Sequence, residues 1–185
     1  SLFFVALAWF MLPKFLEQPK YKVVRKENDI EIRKYDKILT SSVKVYGDQY
    51  TSLRKGFQPL VRYIGAKERD SEKISMTAPV IQTTNDESEN WTVSFAMPSK
   101  YNIDNLPKPA NDEIYFEEIQ PSLAAVIRFS GVADTSLLTR KASVLKRWLE
   151  LNGYTESSSP KFLFYNDPTT PGFLRRNEVM IIIDK

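Results

Sequence analysis

The sequence predicts an α+β fold, built from two copies of one strand-strand-helix-strand-strand unit. Two stretches carry apolar residues at steps of three and four, which indicates helices, and the rest alternates apolar and polar residues in hairpin pairs, which indicates antiparallel strands. The two halves also match. The matching apolar and glycine positions of the first half are Ile30, Ile32, Val43, Val45 and Gly47, and they reappear as Ile114, Phe116, Ile127, Phe129 and Gly131. Because the strands come in hairpins, we expect one antiparallel sheet or open barrel carrying both helices.

In the first half, a hairpin turns at Asn28–Asp29 and a strand covers Ile38 to Tyr46. The first helix covers Asp48 to Gly65, with Asp48 as the N-terminal cap and Gly65 as the left-handed residue that ends it. Two further strands are predicted at Ile74 to Thr83 and Trp91 to Met97. These elements make up the first repeat, about residues 20–97.

In the second half, the helix Thr135 to Asn152 stops at Gly153, and strands surround Ile114–Phe116, Ile127–Phe129, Phe162–Phe164 and Val179–Ile183. This repeat covers about residues 112–185. Residues 98–111 contain three prolines and form the predicted linker between the repeats. We expect a cleft where the two half-sheets meet.

Composition excludes several classes of site. The chain has 185 residues, a formal net charge of +3, no cysteine and no histidine. Thiolate and imidazole chemistry is therefore absent, which removes Ser-His-Asp triads and histidine ligands to a metal or haem. The small net charge gives no indication of nucleic-acid binding.

The N-terminal residues 1–19 differ from the rest, because Leu2 to Leu12 is an uncharged apolar run. It is too short to cross a bilayer alone, yet it fits the end of a signal anchor that associates with a membrane through residues 2–12. A removed signal peptide and a packed N-terminal helix are the alternatives. The first two predict a membrane-anchored or exported protein, and the third a cytoplasmic one.

Two segments carry candidate binding residues. Arg54 lies at the edge of the apolar stripe of the first helix, so this helix offers an apolar wall with a basic rim. The loop from Asn166 to Glu178 places Phe173 and Leu174 at a stiff tip, followed by Arg175 and Arg176. The apolar pair either contacts a ligand or caps the barrel. The arginines either bind an acid or pair with Glu178 and other carboxylates.

At these segments the chain resembles the SOUL haem-binding protein family. KISMTAPV (Lys73 to Val80) and YNDPTTPGFLRRNEVMI (Tyr165 to Ile181) are similar to its two signatures, and LRKGFQPLVRYIG (Leu53 to Gly65) to its first long helix. The resemblance covers about Lys20 to Asp184. It implies an eight-stranded distorted antiparallel barrel with two long helices, and a shallow apolar cleft for haem or another tetrapyrrole between the first helix and the loop of the second signature.

The resemblance also implies roles for residues of this chain. Arg54 matches a basic residue that faces a haem propionate, and Phe57 and Val61 match apolar positions of the cleft. A second basic position of some members is Pro171 here, so Arg62 or Arg175 is the replacement we expect. Without histidine, any haem is held without strong protein ligation, or is ligated by a methionine or a tyrosine. Met76 is the first candidate, although a strand methionine is more often core.

The sequence therefore predicts a non-enzymatic haem or tetrapyrrole binder. The alternative is an effector-binding or protein-interaction module that uses the same cleft for another apolar ligand. Catalysis is a weaker third hypothesis, with Glu178 or Asp167 as the acid or base.

Overall fold

A computed structural model describes residues 15–67, 70–84 and 90–184 of the protein. One curled antiparallel sheet carries two helices in this part of the chain. The strands are β1 (Tyr21–Glu27), β2 (Ile30–Tyr35), β3 (Ile38–Tyr46), β4 (Val80–Thr84), β5 (Asn90–Ala96), β6 (Tyr115–Ile119), β7 (Ser122–Phe129), β8 (Thr155–Glu156), β9 (Lys161–Phe164) and β10 (Asn177–Asp184). The helices are α1 (Gln49–Ile64) and α2 (Thr135–Leu151). The predicted α+β class is confirmed.

The sheet is a curled antiparallel half-barrel, which agrees with the expected antiparallel sheet or open barrel, while the eight strands implied by the resemblance are not confirmed. Its strands follow the order β1-β2-β7-β10-β9-β4-β5-β3-β6, and the short β8 pairs with β10. The extra strand at one edge is β1, which is mostly exposed and rich in lysine and arginine, as suits an edge that must not pair further. The curl is visible in one cavity, which is lined by Lys161 of β9 and Tyr115 of β6 although three strands separate them in the order.

The two faces of the sheet are packed differently. On the helix face, alternate apolar residues form one cluster beneath α2 and another beneath α1. Ile32, Ile127 and Ile181 belong to the cluster of α2, and Val43, Val93 and Phe95 to that of α1. The opposite face of the sheet, which we call the concave face, carries the residues that alternate with these along the same strands. Its apolar cluster includes Ala124, Val126, Leu163 and Met180.

Helix α1 begins as predicted and ends differently. The Asp48 side chain accepts a hydrogen bond from the Thr51 backbone N–H at 3.0 Å, and hydrogen bonding to Thr51 holds the pKa of this carboxyl below its usual value. Gly65 is right-handed, with φ of −72°, and the left-handed residue is Ala66, with φ of 56°. The prediction for Gly65 is therefore wrong by one residue. Its backbone N–H still donates to Val61 at 2.9 Å, so the helical turn continues through it.

Gly56 lets α1 lie close to the sheet, a feature that the sequence analysis missed. A Cβ atom added at Gly56 would lie 2.5 Å from Val93 and 3.3 Å from Val43, closer than real side chains approach. Tyr63, the penultimate residue of α1, donates its hydroxyl to the Pro107 carbonyl at 2.7 Å. The helix is thus fixed by the sheet below it and by the segment 98–111 beside it.

Strand β4 starts six residues later than predicted, at Val80. Pro79 has no backbone N–H to donate to a neighbouring strand, which places the start of regular pairing directly after it. The element order β2-β3-α1-β4-β5 recurs as β6-β7-α2-β9-β10, but the duplication of one unit stays a prediction.

The segment before β1 contacts the domain. Glu17 accepts a hydrogen bond from the Ala78 backbone at 3.0 Å through its carbonyl, and from the Ser99 backbone at 2.7 Å through its carboxylate. Within the described ranges, no helix has the length and apolar character needed to span a membrane. The apolar run Leu2 to Leu12 lies outside those ranges, so the predicted anchor stays a prediction.

Candidate functional site

One stripe of α1 is only partly covered by the sheet. Tyr50, Arg54, Phe57 and Val61 follow one another at steps of four and three, so they share one side of the helix. Tyr50 and Arg54 are exposed, with the Arg54 guanidinium carbon 5.9 Å from the centre of the Tyr50 ring. Phe57 remains 38% exposed while its ring meets Phe95 edge-on at 5.3 Å. The stripe therefore offers aromatic surface with a cation, as expected for a site.

Three of the predicted residues lie near this helix but differ in their surroundings. Val61 and Met76 are both half-buried and pack against the apolar cluster beneath α1. This supports the reading of Met76 as a core residue. Arg62 is exposed, and it lies eight residues after Arg54, roughly 80° further round the helix. Arg62 and Arg54 therefore leave the helix in different directions.

The loop between β9 and β10 is held by its own polar groups. Asp167 accepts hydrogen bonds from the backbone N–H of Thr169 at 2.7 Å and from its hydroxyl at 2.6 Å, and these bonds lower the pKa of the carboxyl. Arg175 donates from Nε to the Thr170 carbonyl at 2.7 Å and from Nη2 to the Pro168 carbonyl at 2.5 Å. Part of the Arg175 guanidinium is thus used to brace the loop.

Phe173 is displayed by a short 3₁₀ turn, Gly172–Leu174. Its side chain is 77% exposed, whereas Leu174 is half-buried. The Gly172 carbonyl accepts from the Gly131 backbone at 2.9 Å, and Val132 lies against Gly172. Phe173 is therefore an exposed aromatic side chain on a braced turn.

Contacts connect this turn to α1. Gly131 and Val132 directly precede α2, and Thr135 at the start of α2 donates to Gln49 at the start of α1, at 3.4 Å. Gln49 is fixed in turn by Gln82, which accepts from its side chain at 2.6 Å and donates to its backbone at 2.8 Å. The turn, the start of α2 and the start of α1 thus form one connected edge of the molecule.

Beneath the loop, a buried ion cluster occupies the concave face. Glu178 is fully buried and accepts from Arg33 at 2.8 and 3.0 Å, from Arg176 at 2.8 and 3.0 Å, and from the Tyr165 hydroxyl at 2.9 Å. Burial raises the pKa of Glu178, but the hydrogen bond and charge of Arg33, with the charge of Arg176, outweigh it and lower the pKa overall. Arg176 also lies over the Tyr165 ring at 3.7 Å.

This cluster decides between the alternatives for the two loop arginines. Arg176 pairs with Glu178, as one alternative stated, whereas Arg175 binds carbonyl groups instead of carboxylates. Arg33 was missed, because an arginine in an alternating strand is typical of a solvent-facing position. Its partner Glu178 lies 145 residues away in the sequence, so no local pattern indicated the pair.

The residues fit a tetrapyrrole in part. Exposed aromatic carbon at Tyr50, Phe57 and Phe173 suits its apolar face, and Arg54 suits an acidic substituent. The sequence has no histidine or cysteine to serve as an axial ligand, so a protein ligand to the iron would have to be a methionine or a tyrosine. Among the described residues, no three acidic side chains are grouped so that they could hold a metal ion.

Fold and site together define an α+β half-barrel protein with an exposed, aromatic and basic candidate binding edge. The profile of the family described as SOUL heme-binding protein matches residues 16–182, and the chain therefore belongs to that family. Heme-binding protein 1 from Xenopus laevis is 29% identical over 158 residues, which cover 82% of each chain.

Solved structures of similar fold support the architecture. The C-terminal domain of EcmrR has a TM-score of 0.64 at 15% identity, covering 89% of this chain and 98% of its own. A hydrolase from Listeria innocua has a TM-score of 0.59 at 9% identity, covering 87% of this chain and 94% of its own. At such identities, the likeness concerns the fold alone.

Proposed function

We propose that this protein binds haem or a related tetrapyrrole, without catalysing a reaction, in an apolar cleft between α1 and the loop 166–178. Family membership supports haem binding in general. The location is supported by two exposed aromatic side chains, Phe57 on α1 and Phe173 on the braced turn, and by the contacts that join this turn to the start of α1, eight residues before Phe57. Arg54 supplies a cation beside them.

The energetics of such a site are mostly apolar. Covering the aromatic stripe and Phe173 removes apolar surface from water at ~25 cal/mol per Å². Arg54 orients the ligand by a charge-assisted contact to a propionate. Arg62 and Arg175 are the candidates for a second such contact. Arg175 would use the N–H groups of its guanidinium that do not bind the loop carbonyls. Leu174 and Val61 extend the apolar surface from their half-buried positions.

Histidine ligation has no part in this proposal. A bound haem would supply its own iron chemistry, while the chain contributes apolar contact, orientation and partial exclusion of water. Met76 is the remaining candidate for a weak axial ligand, and its packing against the cluster beneath α1 favours a structural role.

A non-enzymatic role is supported by the state of the two candidate acids. Both Glu178 oxygens are taken by Arg33, Arg176 and Tyr165, and no part of the residue reaches the surface. Asp167 is exposed and occupied with Thr169, where it caps the turn of the loop. Neither carboxyl is available as an acid or base in a cleft.

The test is a hemin titration of the purified chain, followed by absorbance in the Soret region. We expect saturable binding without the spectrum of bis-histidine ligation. Arg54→Ala and Phe173→Ala should each weaken binding about three- to tenfold, since each removes roughly 1 kcal/mol of contact. The matched controls are Lys55→Ala on the same helix and Leu151→Ala, an exposed apolar residue of α2, which should change the affinity less than twofold.

A titration without a saturable change would overturn haem as the ligand. Equal affinities of the Arg54, Phe173 and control variants would mean that haem binds, but at a site away from this edge. An absorbance change lost in Met76→Leu alone would instead indicate methionine ligation.

The alternative is an effector-binding or protein-interaction module that uses the same cleft for another apolar ligand. It is favoured by the lack of any imidazole ligand, because exposed aromatic carbon alone does not select for iron. Thermal-shift measurements with hemin, protoporphyrin and other apolar acids would rank these ligands, since stabilisation grows with the ratio of ligand concentration to Kd. Stabilisation by a metal-free ligand equal to that by hemin would favour this alternative.

A further inference from the structure

The cavity lined by Lys161 and Tyr115 lies on the concave face, away from the helices. It has a volume of about 510 Å³ and is lined by strands β3, β4, β5, β6 and β9. None of the residues predicted for the haem site lines it. Its volume lies within the usual range for small-molecule sites, which is roughly 300 to 1,000 Å³.

The walls of this cavity are rich in hydroxyl groups. Thr40 and Ser94 are buried at its floor, whereas Tyr46 and Lys44 are exposed at its mouth. The Ser94 hydroxyl lies 2.7 Å from that of Ser42, and the Ser42 hydroxyl lies 3.3 Å from that of Thr40. Because the Thr40 hydroxyl donates to the Glu117 carbonyl at 3.2 Å, Ser42 donates to Thr40 and Ser94 donates to Ser42. The Ser94 oxygen is therefore left to accept a hydrogen bond from a ligand.

Lys161 is the half-buried charged residue of the wall, whereas Lys44 and Glu117 are exposed. It pairs with Thr83 across β9 and β4, and it shares the concave face with Leu163, two positions further along its strand. Within the described residues, its ammonium group makes no ion pair or hydrogen bond, although Glu117 of β6 also lines the cavity. Burial lowers the pKa of Lys161, and the charge of Glu117 opposes this only in part. A half-buried cation without a partner is costly, and an anion in the cavity would remove that cost.

We propose that this cavity binds a small acid that also carries hydroxyl groups, with Lys161 as the partner of its carboxylate or phosphate. Among the described residues, the lining carries two lysines and a single carboxylate, Glu117, which supports an acid over a neutral molecule. It supports a hydroxylated ligand over an apolar one, because Thr40, Thr83 and Ser94 present hydroxyls to the interior. The site is separate from the proposed haem cleft and does not depend on it.

The experiment is isothermal titration calorimetry of the full chain with three probes of one size class. Gluconate carries a carboxylate, glucose 6-phosphate carries a phosphate, and glucose carries neither. We expect binding of at least one acid and none of glucose, and comparison of the acids identifies the preferred anion. Lys161→Met should weaken binding at least about tenfold, the usual effect of losing a charge-assisted contact. Lys22→Met, an exposed lysine of β1, should bind as the wild type does.

Folding does not confound this comparison. Because Lys161 has no partner among the described residues, methionine at this position should leave the melting temperature of the ligand-free protein unchanged or raise it. Trp91 also lines the cavity, so its fluorescence gives a second readout near the ligand. Heat from neither acid, equal binding of glucose, or an unchanged affinity in Lys161→Met would overturn the proposal.

Discussion

Two charged side chains on the concave face, the buried Glu178 and the half-buried Lys161, have opposite surroundings. Glu178 of β10 lies opposite Leu163 of β9, and Lys161 lies opposite Met180, so the two charges share one face of adjacent strands. Glu178 has five hydrogen bonds from Arg33, Arg176 and Tyr165, and the space around it is filled. Lys161 lacks any partner in the described part of the chain and borders a cavity of about 510 Å³.

This comparison distinguishes a charged residue with a structural role, Glu178, from one that is available to bind a ligand, Lys161. A buried carboxylate with every lone pair occupied fixes the positions of three strands, because removing any partner leaves the others unpaired. A half-buried ammonium group beside an open cavity has the opposite property, since its missing partner has to come from outside. Lysine, rather than glutamate, is thus the residue on this face that points to a ligand.

The largest effect on stability is expected from removing the carboxylate of Glu178, the fully paired residue. Glu178→Gln removes the carboxylate that Arg33 and Arg176 share, while Arg33 keeps its 2.8 Å ion pair with Glu31, so we expect a loss of about 3 kcal/mol in the free energy of unfolding. Urea unfolding followed by circular dichroism measures it. The control Glu150→Gln removes an exposed pair with Arg147 and should cost at most about 0.5 kcal/mol. A loss below about 1 kcal/mol for Glu178→Gln would mean that the cluster is not structural.

The ion pairs of Glu178 also make the stability of the folded protein depend on pH in the acidic range. The pKa of Glu178 is lower in the folded protein than its ordinary value of 4.5, so the stabilisation is complete above that value and is lost as the pH falls through the folded pKa. Stability of the wild type should therefore decline below about pH 4.5, and the decline should be shallower in Glu178→Gln.

A smaller effect is expected on the other side of the sheet, where α1 lies against β3 and β5, two of the strands that form the cavity. Gly56→Ala places a methyl group 2.5 Å from Val93, and overpacking of this kind costs about 1–3 kcal/mol. The better helix propensity of alanine returns up to about 1 kcal/mol. We expect a net loss of about 1–2 kcal/mol in urea unfolding. Lys55→Ala is the exposed control on the same helix and should be neutral within about 0.5 kcal/mol.

The smallest effect, with the opposite sign, is expected at Lys161. Its folded pKa lies below its ordinary value of 10.5, so the folded protein loses this proton before the unfolded chain does. Stability of the wild type should therefore rise with pH between the folded pKa and 10.5. Lys161→Met should gain about 1 kcal/mol at pH 7, and the gain should shrink towards pH 10.5. A loss of stability at pH 7 would give Lys161 a structural role like that of Glu178.

Local elements were predicted well because their signals are local. Strand β3 has the predicted bounds, and α1 differs by one residue at each end, since apolar spacing and an Asp cap determine a helix within a few turns. The candidate residues Arg54, Phe57 and Phe173 are exposed, whereas Val61, Leu174 and Met76 are half-buried. The exposure of a side chain depends on which elements cover it, and the spacing of apolar residues along the sequence does not determine that.

The sequence by itself determined the α+β class, the positions of most strands and both helices, and the motifs by which the chain resembles its family. Only the tertiary structure decided that Arg33 meets Glu178, that Gly56 permits the approach of α1, and that Lys161 faces a cavity. Each of these depends on side chains brought together from distant strands by the curl of one sheet. Periodicity tells which side of a strand a residue takes, but not which partner or space it meets there.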